Sequence, residues 1–476
     1  MKPLSRRQFL QASLATMAAG ISIKGMSSTS TKPPNILFVV FDDLNDWVGC
    51  LGGYPGKVYT PNIDALAASG TLFTNAHCAV PLCNASRTST LTGLSPLRTG
   101  AFYNNTQWRE LATTQNAIPI PQFFRNHGYR AIGSGKVFHF HDPQSWDNFW
   151  PNNIHGEPED PVQPNYDHPR KGAPYSYKTD LQFDWGVVDT PVEKTPDREI
   201  SNWLIQQIQT QNSKQPLFIG CGIGKPHLPW YLPKPYFDRY PLETVQLPAV
   251  LQNDLDDVPL AGRELINSYL QNDMVRDGLW KNAVQAYLAS ITYADEQLGR
   301  VLQALRASPL ADNTLIVLWS DHGWHLGEKM QWRKLTLWQE ATHIPLIFSG
   351  PGIAAGKRCH APVSLLDIYP TLADLTHQTL PYAVDGNSLS PLLRDANAPW
   401  SHLAFTVWQM HNKDHVAVVD ERYRLIRYAD GTEELYDHEL DPHEWHNSVD
   451  KASYQTVRKY LSAAIDDYIQ RNTPKS

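Results

Sequence analysis

Five short apolar runs constrain the fold more than anything else in this chain: ILFVVF (36–41), YRAI (129–132), PLFIG (216–220), TLIVLW (314–319) and IPLIF (344–348). Each is too short for an ordinary helix, carries β-branched or aromatic residues, and is bounded by polar residues, glycine or proline. That pattern predicts buried strands. A sheet with one wet face would alternate apolar with polar residues. These runs do not alternate, which points to a parallel sheet covered on both faces. Helical patterns separate them, at PNIDALAASG (61–70), PIPQFFRNHG (119–128) and AVQAYLASITYADEQLGRVLQALRAS (283–308). The expected fold is α/β, a large, mainly parallel sheet sandwiched by helices.

From about residue 381 the texture changes. LAFTVWQ (403–409), HVAVVD (415–420), RYRLIRY (422–428) and EELYD (433–437) alternate apolar with polar residues, and ADGTE (429–433) reads as a hairpin turn. The pattern predicts a smaller antiparallel sheet, closed by a helix over ASYQTVRKYLSAAIDDYIQ (452–470). The N-terminus belongs to neither part. SRRQFLQASLATMAAGISIKG (5–25) sets Arg6 and Arg7 before a mildly apolar stretch of small residues, the pattern of a twin-arginine export leader. The expected organisation is a leader over 1–31, a large α/β domain over 32–380 and a C-terminal α+β subdomain over 381–476. The twin-arginine translocase is then a partner, and the periplasm or the extracellular space the destination.

Composition narrows the class. A net charge of −7 speaks against a general nucleic-acid binder, but leaves room for a local cationic pocket. With 36 prolines and 15 tryptophans in 476 residues, the chain has the makings of long ordered loops with aromatic platforms. The five cysteines, at 50, 78, 83, 221 and 359, show no metal-site or disulfide spacing.

The residues just beyond the apolar runs carry the chemistry. After 41 comes Asp42-Asp43. After 132 comes GSGKVFH, with Lys136 and His139; after 220 comes CGIGKPHLP, with Lys225 and His227; after 319 comes SDHG, with Asp321 and His322. Ligands of open parallel sheets bind beyond the carboxyl ends of the strands. An adjacent pair of acids is usually a solvated turn, and a lone histidine is usually structural. Four such coincidences at equivalent positions make one shared rim the better reading.

The segment VPLCNASRTSTLTG (80–93) places Cys83 at the start of a possible helix, one turn before Arg87. A helix N-terminus and an arginine would favour a low-pKa nucleophilic thiolate. Asp42, Asp43 and Asp321 would oppose it unless a cation lay between them. Cys83-Asn84-Ala85-Ser86-Arg87, with LTGLSPLRTG behind it, resembles the signature of the sulfatase family, C-x-[PA]-S-R followed by x-x-x-L-x-T-G. The chain departs from many members in having Ala85 where they have proline. The resemblance extends over 34–446. It is strongest to iduronate-2-sulfatase-like members, through FDDLND (41–46), GKVFH (135–139), GKPHLPW (224–230), SDHGWHLGE (320–328) and WRKLTLWQEATHIPLIFSGPG (332–352).

The resemblance implies an alkaline-phosphatase-like fold and sulfate-ester hydrolysis. It also implies oxidation of Cys83 to formylglycine by a maturation enzyme; the aldehyde hydrate is the family's nucleophile. Carboxylate oxygens suit Ca²⁺. On this reading Asp42, Asp43, Asp321 and the modified Cys83 hold the ion, with His322 as a ligand or beside it. Arg87, Lys136 and Lys334 offset the charge of the sulfate; His227, assisted by Lys334, is the acid for the leaving alcohol, and His139 the base. AFYNNTQWRE (101–110) is expected to line the mouth, with Tyr103, Asn105, Trp108 and His325 as contacts to a sulfated carbohydrate and Trp324, His411 and Lys413 nearby. Two alternatives stand. Phosphatases and phosphodiesterases of the same superfamily hold two zinc ions and use Ser or Thr; an inactive carbohydrate-binding relative would be expected to lose Cys83, Arg87 or the acids.

Overall fold

The computed structural model describes residues 32–160, 183–211, 214–266 and 268–473. The expected leader, 1–31 with Arg6 and Arg7, lies outside the described residues. Eight strands form the large sheet: β1 (Asn35–Phe41), β2 (Gly70–Phe73), β3 (Arg130–Ser134), β4 (Asn148–Trp150), β5 (Leu217–Ile223), β6 (Thr314–Ser320), β7 (Leu346–Ser349) and β8 (Lys357–Cys359), in the order β8-β2-β7-β6-β1-β5-β3-β4. From β6 across to β4 every pairing is parallel. The exception is β7, which runs antiparallel to both β6 and β2. A continuous apolar run reports burial on two faces and carries no information about direction, so IPLIF reads like its neighbours. The strands β2, β4 and β8 gave no such run. They are three or four residues long, and the edge strand β8 exposes Lys357 and Arg358, as edges that avoid further pairing do.

Every residue of β1 is buried, and successive side chains enter different cores. Leu37, Val39 and Phe41 pack with Ile200, Leu204 and Ile208 of α4 (Pro196–Gln209) and with Tyr287, Ile291 and Leu298 of α5 (Trp280–Arg306). Ile36, Phe38 and Val40 pack on the other face, against Leu91 of α2 (Cys83–Thr92) and Phe123 and Phe124 of α3 (Ile120–Asn126). The period of two within an unbroken apolar run is thus accounted for by helices on both sides. The helix expected at 61–70 is α1 (Pro61–Ala68).

Near the C-terminus, β9 (Ala404–Met410), β10 (Lys413–Val419), β11 (Tyr423–Arg427) and β12 (Glu433–Asp437) make an antiparallel sheet in sequence order. The turn before β12 closes with Tyr428 N–H donating to Thr432 O at 2.9 Å. Gly431 there has φ +86°, a conformation that costs glycine least. One face of this sheet buries Val416, Val418, Leu425 and Leu435 under Leu461 and Ile465 of α6 (Gln455–Asn472). The other packs Trp408, Ala417, Ile426 and Tyr436 against Val80, Leu82, Ala85, Leu337 and Trp338. The described residues from 34 onward form one compact unit. No described helix is long and apolar enough to cross a membrane.

Candidate active site

The parallel strands deliver their terminal residues to one rim. Asp42 N–H donates to Ile223 O and Asp321 N–H to Phe41 O, both at 3.2 Å, so the ends of β5, β1 and β6 stay in register as the chain leaves the sheet. Asp43 then turns into the left-handed region, at φ +67°. Its N–H donates to Asp321 Oδ1 at 3.1 Å, and its carbonyl accepts from Tyr287 Oη at 2.8 Å. These bonds fix a backbone shape that a non-glycine residue adopts only when its surroundings demand it. They also put three carboxylates side by side in the interior.

Three cations meet the acids. Arg87 Nε lies 2.9 Å from Asp321 Oδ2 and its Nη2 3.4 Å from Asp42 Oδ1. Lys136 Nζ pairs with Asp42 Oδ2, and Lys334 Nζ lies 2.5 Å from Asp43 Oδ1. All six side chains are buried. Burial disfavours charge on Asp42, but Lys136, then His227 and Arg87, hold its carboxyl well below the ordinary range. Asp321 goes the other way, pushed up to about 7 by burial and by Asp42 against the pull of Arg87.

Cys83 opens α2 within this cluster. Its Sγ lies 3.1 Å from Lys334 Nζ and 3.3 Å from His322 Nε2. Burial, then Asp42, pushes the thiol up despite Lys334 and Lys136. The low-pKa thiolate reading therefore fails, because the loss of water, with Asp42 and Asp321, outweighs the nearby cations. Among the described residues, Asp42 Oδ1 and Asp43 Oδ2 are buried without a hydrogen-bond partner. The ligating atoms of Asp42, Cys83, Asp321 and His322 lie within 4.8 Å of one another, as do those of Asp42, Asp43, Cys83 and His227. Orphaned carboxylate oxygens at this spacing fit a hard divalent cation. His322 Nδ1 is 3.0 Å from Gly323 O and its Nε2 3.4 Å from Asp43 Oδ1. Its imidazole is held down to about 3 by burial and Lys334, so it stays neutral beside the acids.

A cavity of about 480 Å³ opens from this centre, lined by Asp42, Lys136, His139 and His227 among others. His139 is pushed down to about 2 by burial and then by Lys136, and its Nδ1 has no hydrogen-bond partner among the described residues. His227 Nδ1 is 2.6 Å from Leu228 O, which turns Nε2 toward Asp43 Oδ2 at 3.8 Å. Burial lowers this imidazole to about 4, against the pull of Asp43 and Asp42.

Several expected substrate contacts do not reach the cavity. Trp108 is 2% exposed and stacks on Phe138 at 6.1 Å, with the Arg109 guanidinium 4.1 Å over its ring; it is core. His325 is fully buried, its Nε2 2.7 Å from Thr336 Oγ1, edge-on to Trp338. Trp324 is buried too, beneath Lys334. Asn105 is exposed, and Tyr103, 36% exposed, leans on Trp408. His411 and Lys413 are exposed at the tip of the β9–β10 hairpin. The cavity wall takes Asn104 instead, whose Oδ1 accepts from Asn84 N–H, on the first turn of α2, at 3.1 Å. Glu157, Asp197, Tyr231 and Tyr293 also line it, and no motif or spacing in the sequence marks them. Burial pushes Glu157 up to about 7, against the pull of Lys136. In a loop without periodicity, nothing in the residue types distinguishes Asn104 from Asn105. All five cysteines are free.

Comparisons with known proteins agree with this geometry. The Sulfatase family model matches residues 34–378, and that of the N-sulphoglucosamine sulphohydrolase C-terminal region matches 327–471. A sulfatase of Formosa agariphila is 35% identical, over 97% of this chain and 92% of its own. Human iduronate 2-sulfatase is 30% identical, over 77% of this chain and 73% of its own. Among solved structures, one in complex with its substrate D-glucosamine-2-N,6-O-disulfate superposes with a TM-score of 0.72 at 21% identity, covering 93% of this chain and 99% of that one. A nearly full-length relative and a family model that takes in β1 to β8, Cys83 and all three acids lead to one conclusion: the chain belongs to the sulfatase family and is a sulfuric ester hydrolase.

Proposed function

We propose that this enzyme removes sulfate from a sulfated carbohydrate, with Cys83 matured to formylglycine and Ca²⁺ held by Asp42, Asp43 and Asp321. The observation that carries the reading is the setting of Cys83, a buried, protonated thiol touching Lys334 and His322 among three acids. As a thiol it is a poor nucleophile there; as a precursor it is in the right place. Formylglycine at this position would supply, as its hydrate, one hydroxyl as the nucleophile and a second able to give up a proton as sulfate leaves. A bound Ca²⁺ would supply Lewis-acid stabilisation of sulfate oxygens.

The chain's own residues do the rest. Arg87, Lys136 and Lys334 gather positive charge where a sulfate group must sit, and preorganised cations of this kind stabilise charge that builds during transfer. His139 Nδ1 has no hydrogen-bond partner among the described residues, so it is open to the cavity. The charge of a bound sulfate would offset the burial and the Lys136 ammonium that hold its basicity down, and so let it take a proton there. His227 presents Nε2 to the same space. The negative charge of a sulfate beside it favours the protonated form, from which it donates to the leaving oxygen, with Lys334 assisting. Superposition on a structure holding a sulfated glucosamine, and relatives named for sulfated sugars, support a carbohydrate leaving group. The Arg6-Arg7 leader supports export through the twin-arginine translocase to the periplasm or beyond, after modification by a formylglycine-generating enzyme.

The test joins two measurements on enzyme co-expressed with such a maturation system. Mass spectrometry of the Cys83 peptide should show formylglycine, and a screen of defined sulfated oligosaccharides against matched phosphate esters should show release of sulfate only. An unmodified thiol in fully active enzyme, or preferential phosphate release, would sink the reading. Cys83→Ala should be folded and lose turnover by at least about 10⁴-fold, as nucleophile deletions do.

A further inference from the structure

Of the three cations at the site, Lys334 is delivered by a loop with unusual backbone on both sides. Arg333 and Leu335 flank it at φ +77° and +74°, and Lys329 and Met330 before it lie at +55° and +56°. Non-glycine residues persist in this region only when neighbouring structure over-determines them. The neighbouring structure here comes largely from the C-terminal sheet and the segment after it. Arg424 of β11 is fully buried; its Nε lies 2.6 Å from Glu444 Oε1, and its Nη1 donates to Leu337 O at 3.0 Å. Glu444 is fully buried as well. It accepts from Gln339 N–H at 3.0 Å, and its Oε1 lies 2.8 Å from His438 Nε2. Before Lys334, the buried Lys329 ammonium meets Asp254 Oδ1 at 2.6 Å and the carbonyl of Glu444, between the rings of Trp338 and Tyr436. Gln331 Nε2 donates to the carbonyl of Lys334 itself at 3.0 Å.

We infer that Arg424 and Glu444 are positioning residues for Lys334. They touch neither the sulfate site nor the cavity, and they act by gripping the loop at Lys329 on one side and at Leu337 and Gln339 on the other. A buried ion pair is weak evidence for net stability, since its desolvation cost rivals its attraction. What such a pair does supply is direction, because a charge without water has only one place to go. The grip holds Lys334 Nζ between Asp43 Oδ1 and Cys83 Sγ, 2.5 and 3.1 Å away. The C-terminal family model begins at 327, ahead of Lys334, so the loop, Arg424, His438 and Glu444 fall within one matched region.

This positioning role rests on the part Lys334 plays in sulfate transfer, and a double-mutant cycle separates the two. In matured enzyme, with an aryl sulfate as the probe, kcat/KM is measured for Glu444→Gln, Lys334→Ala and the double variant. Glu444→Gln should lower kcat/KM about tenfold in the wild-type background and less than about twofold when Lys334 is already alanine. A purely structural role would cost the same factor in both backgrounds, and that result overturns the positioning role alone. Wild-type kcat/KM in Lys334→Ala overturns the positioning and the role of Lys334 together. Should Glu444→Gln not fold, His438→Gln, at the partly exposed edge of the same carboxylate, completes the cycle with an expected effect of about threefold and the same two ways to fail.

Discussion

The two ends of the active site are built differently. At the closed end, Asp42, Asp43, Cys83, Arg87, Lys136, Asp321 and Lys334 are all buried, and three acids face three cations. At the open end a cavity is walled by Asn104, His139, Glu157, His227 and Tyr231, several of them partly exposed and most of them on loops. Hydrogen bonding between adjacent strands, spaced about 4.8 Å apart, fixes where Asp42 and Asp321 stand. No comparable lattice fixes Asn104 or Glu157. The closed end is therefore set by the fold, while the open end is free to vary with the substrate.

The sharpest way to break that contrast is to empty the closed end of charge. Asp42→Asn, Asp43→Asn and Asp321→Asn should each lose the Ca²⁺ proposed for this site and lower turnover by about 10³-fold, since a Lewis acid supplies several kcal/mol to such a transfer. Elemental analysis of the purified variants beside turnover decides it. Full calcium content in all three would place the ion elsewhere, and zinc in the wild-type protein would favour the phosphatase relatives.

A smaller effect is expected at the open end, where the two histidines should separate kinetically. His139→Ala should release one equivalent of alcohol in a burst and then turn over slowly, as when a late step is lost. His227→Ala should slow the burst itself by about 10²-fold, and least for substrates with good leaving groups, which need little protonation. Rapid-mixing measurements over a series of aryl sulfates distinguish them. A His139→Ala defect that followed leaving-group pKa, without a burst, would exchange the two roles and leave the closed end untouched.

The same contrast governs what could be read from the chain. Asp42, Asp43, Lys136, His227, Asp321 and His322 stood out because each comes after a predicted strand, and the structure brings all six to one place. Lys334 comes after no such strand; only its resemblance to a family motif marked it, and the loop that carries it has backbone angles invisible in residue types. The direction of β7 was hidden for the opposite reason, since burial on two faces looks alike in parallel and antiparallel strands. Trp108 and His325 look like sugar contacts because large polar-edged rings serve either purpose. Their burial depends on Phe138 and Trp338, which lie 30 and 13 residues further along the chain.

His325 makes that last distinction measurable, with the smallest effect. Burial, and then Lys329, hold its imidazole down to about 3, against about 6.5 in an unfolded chain. Between those values the unfolded state binds a proton that the folded state refuses. Stability therefore rises with pH through this window and is lost as pH falls below about 6.5, by at most about 1.4 kcal/mol per pH unit for this one group. The other buried histidines add to the slope, so the informative quantity is a difference. His325→Gln, which keeps a hydrogen-bonding group beside Thr336, should flatten the fall in urea midpoint between pH 7 and pH 5 relative to wild type. An unchanged slope would mean that His325 titrates alike in the folded and unfolded chains, as a solvent-facing sugar contact would, and the boundary between core and cavity would have to move.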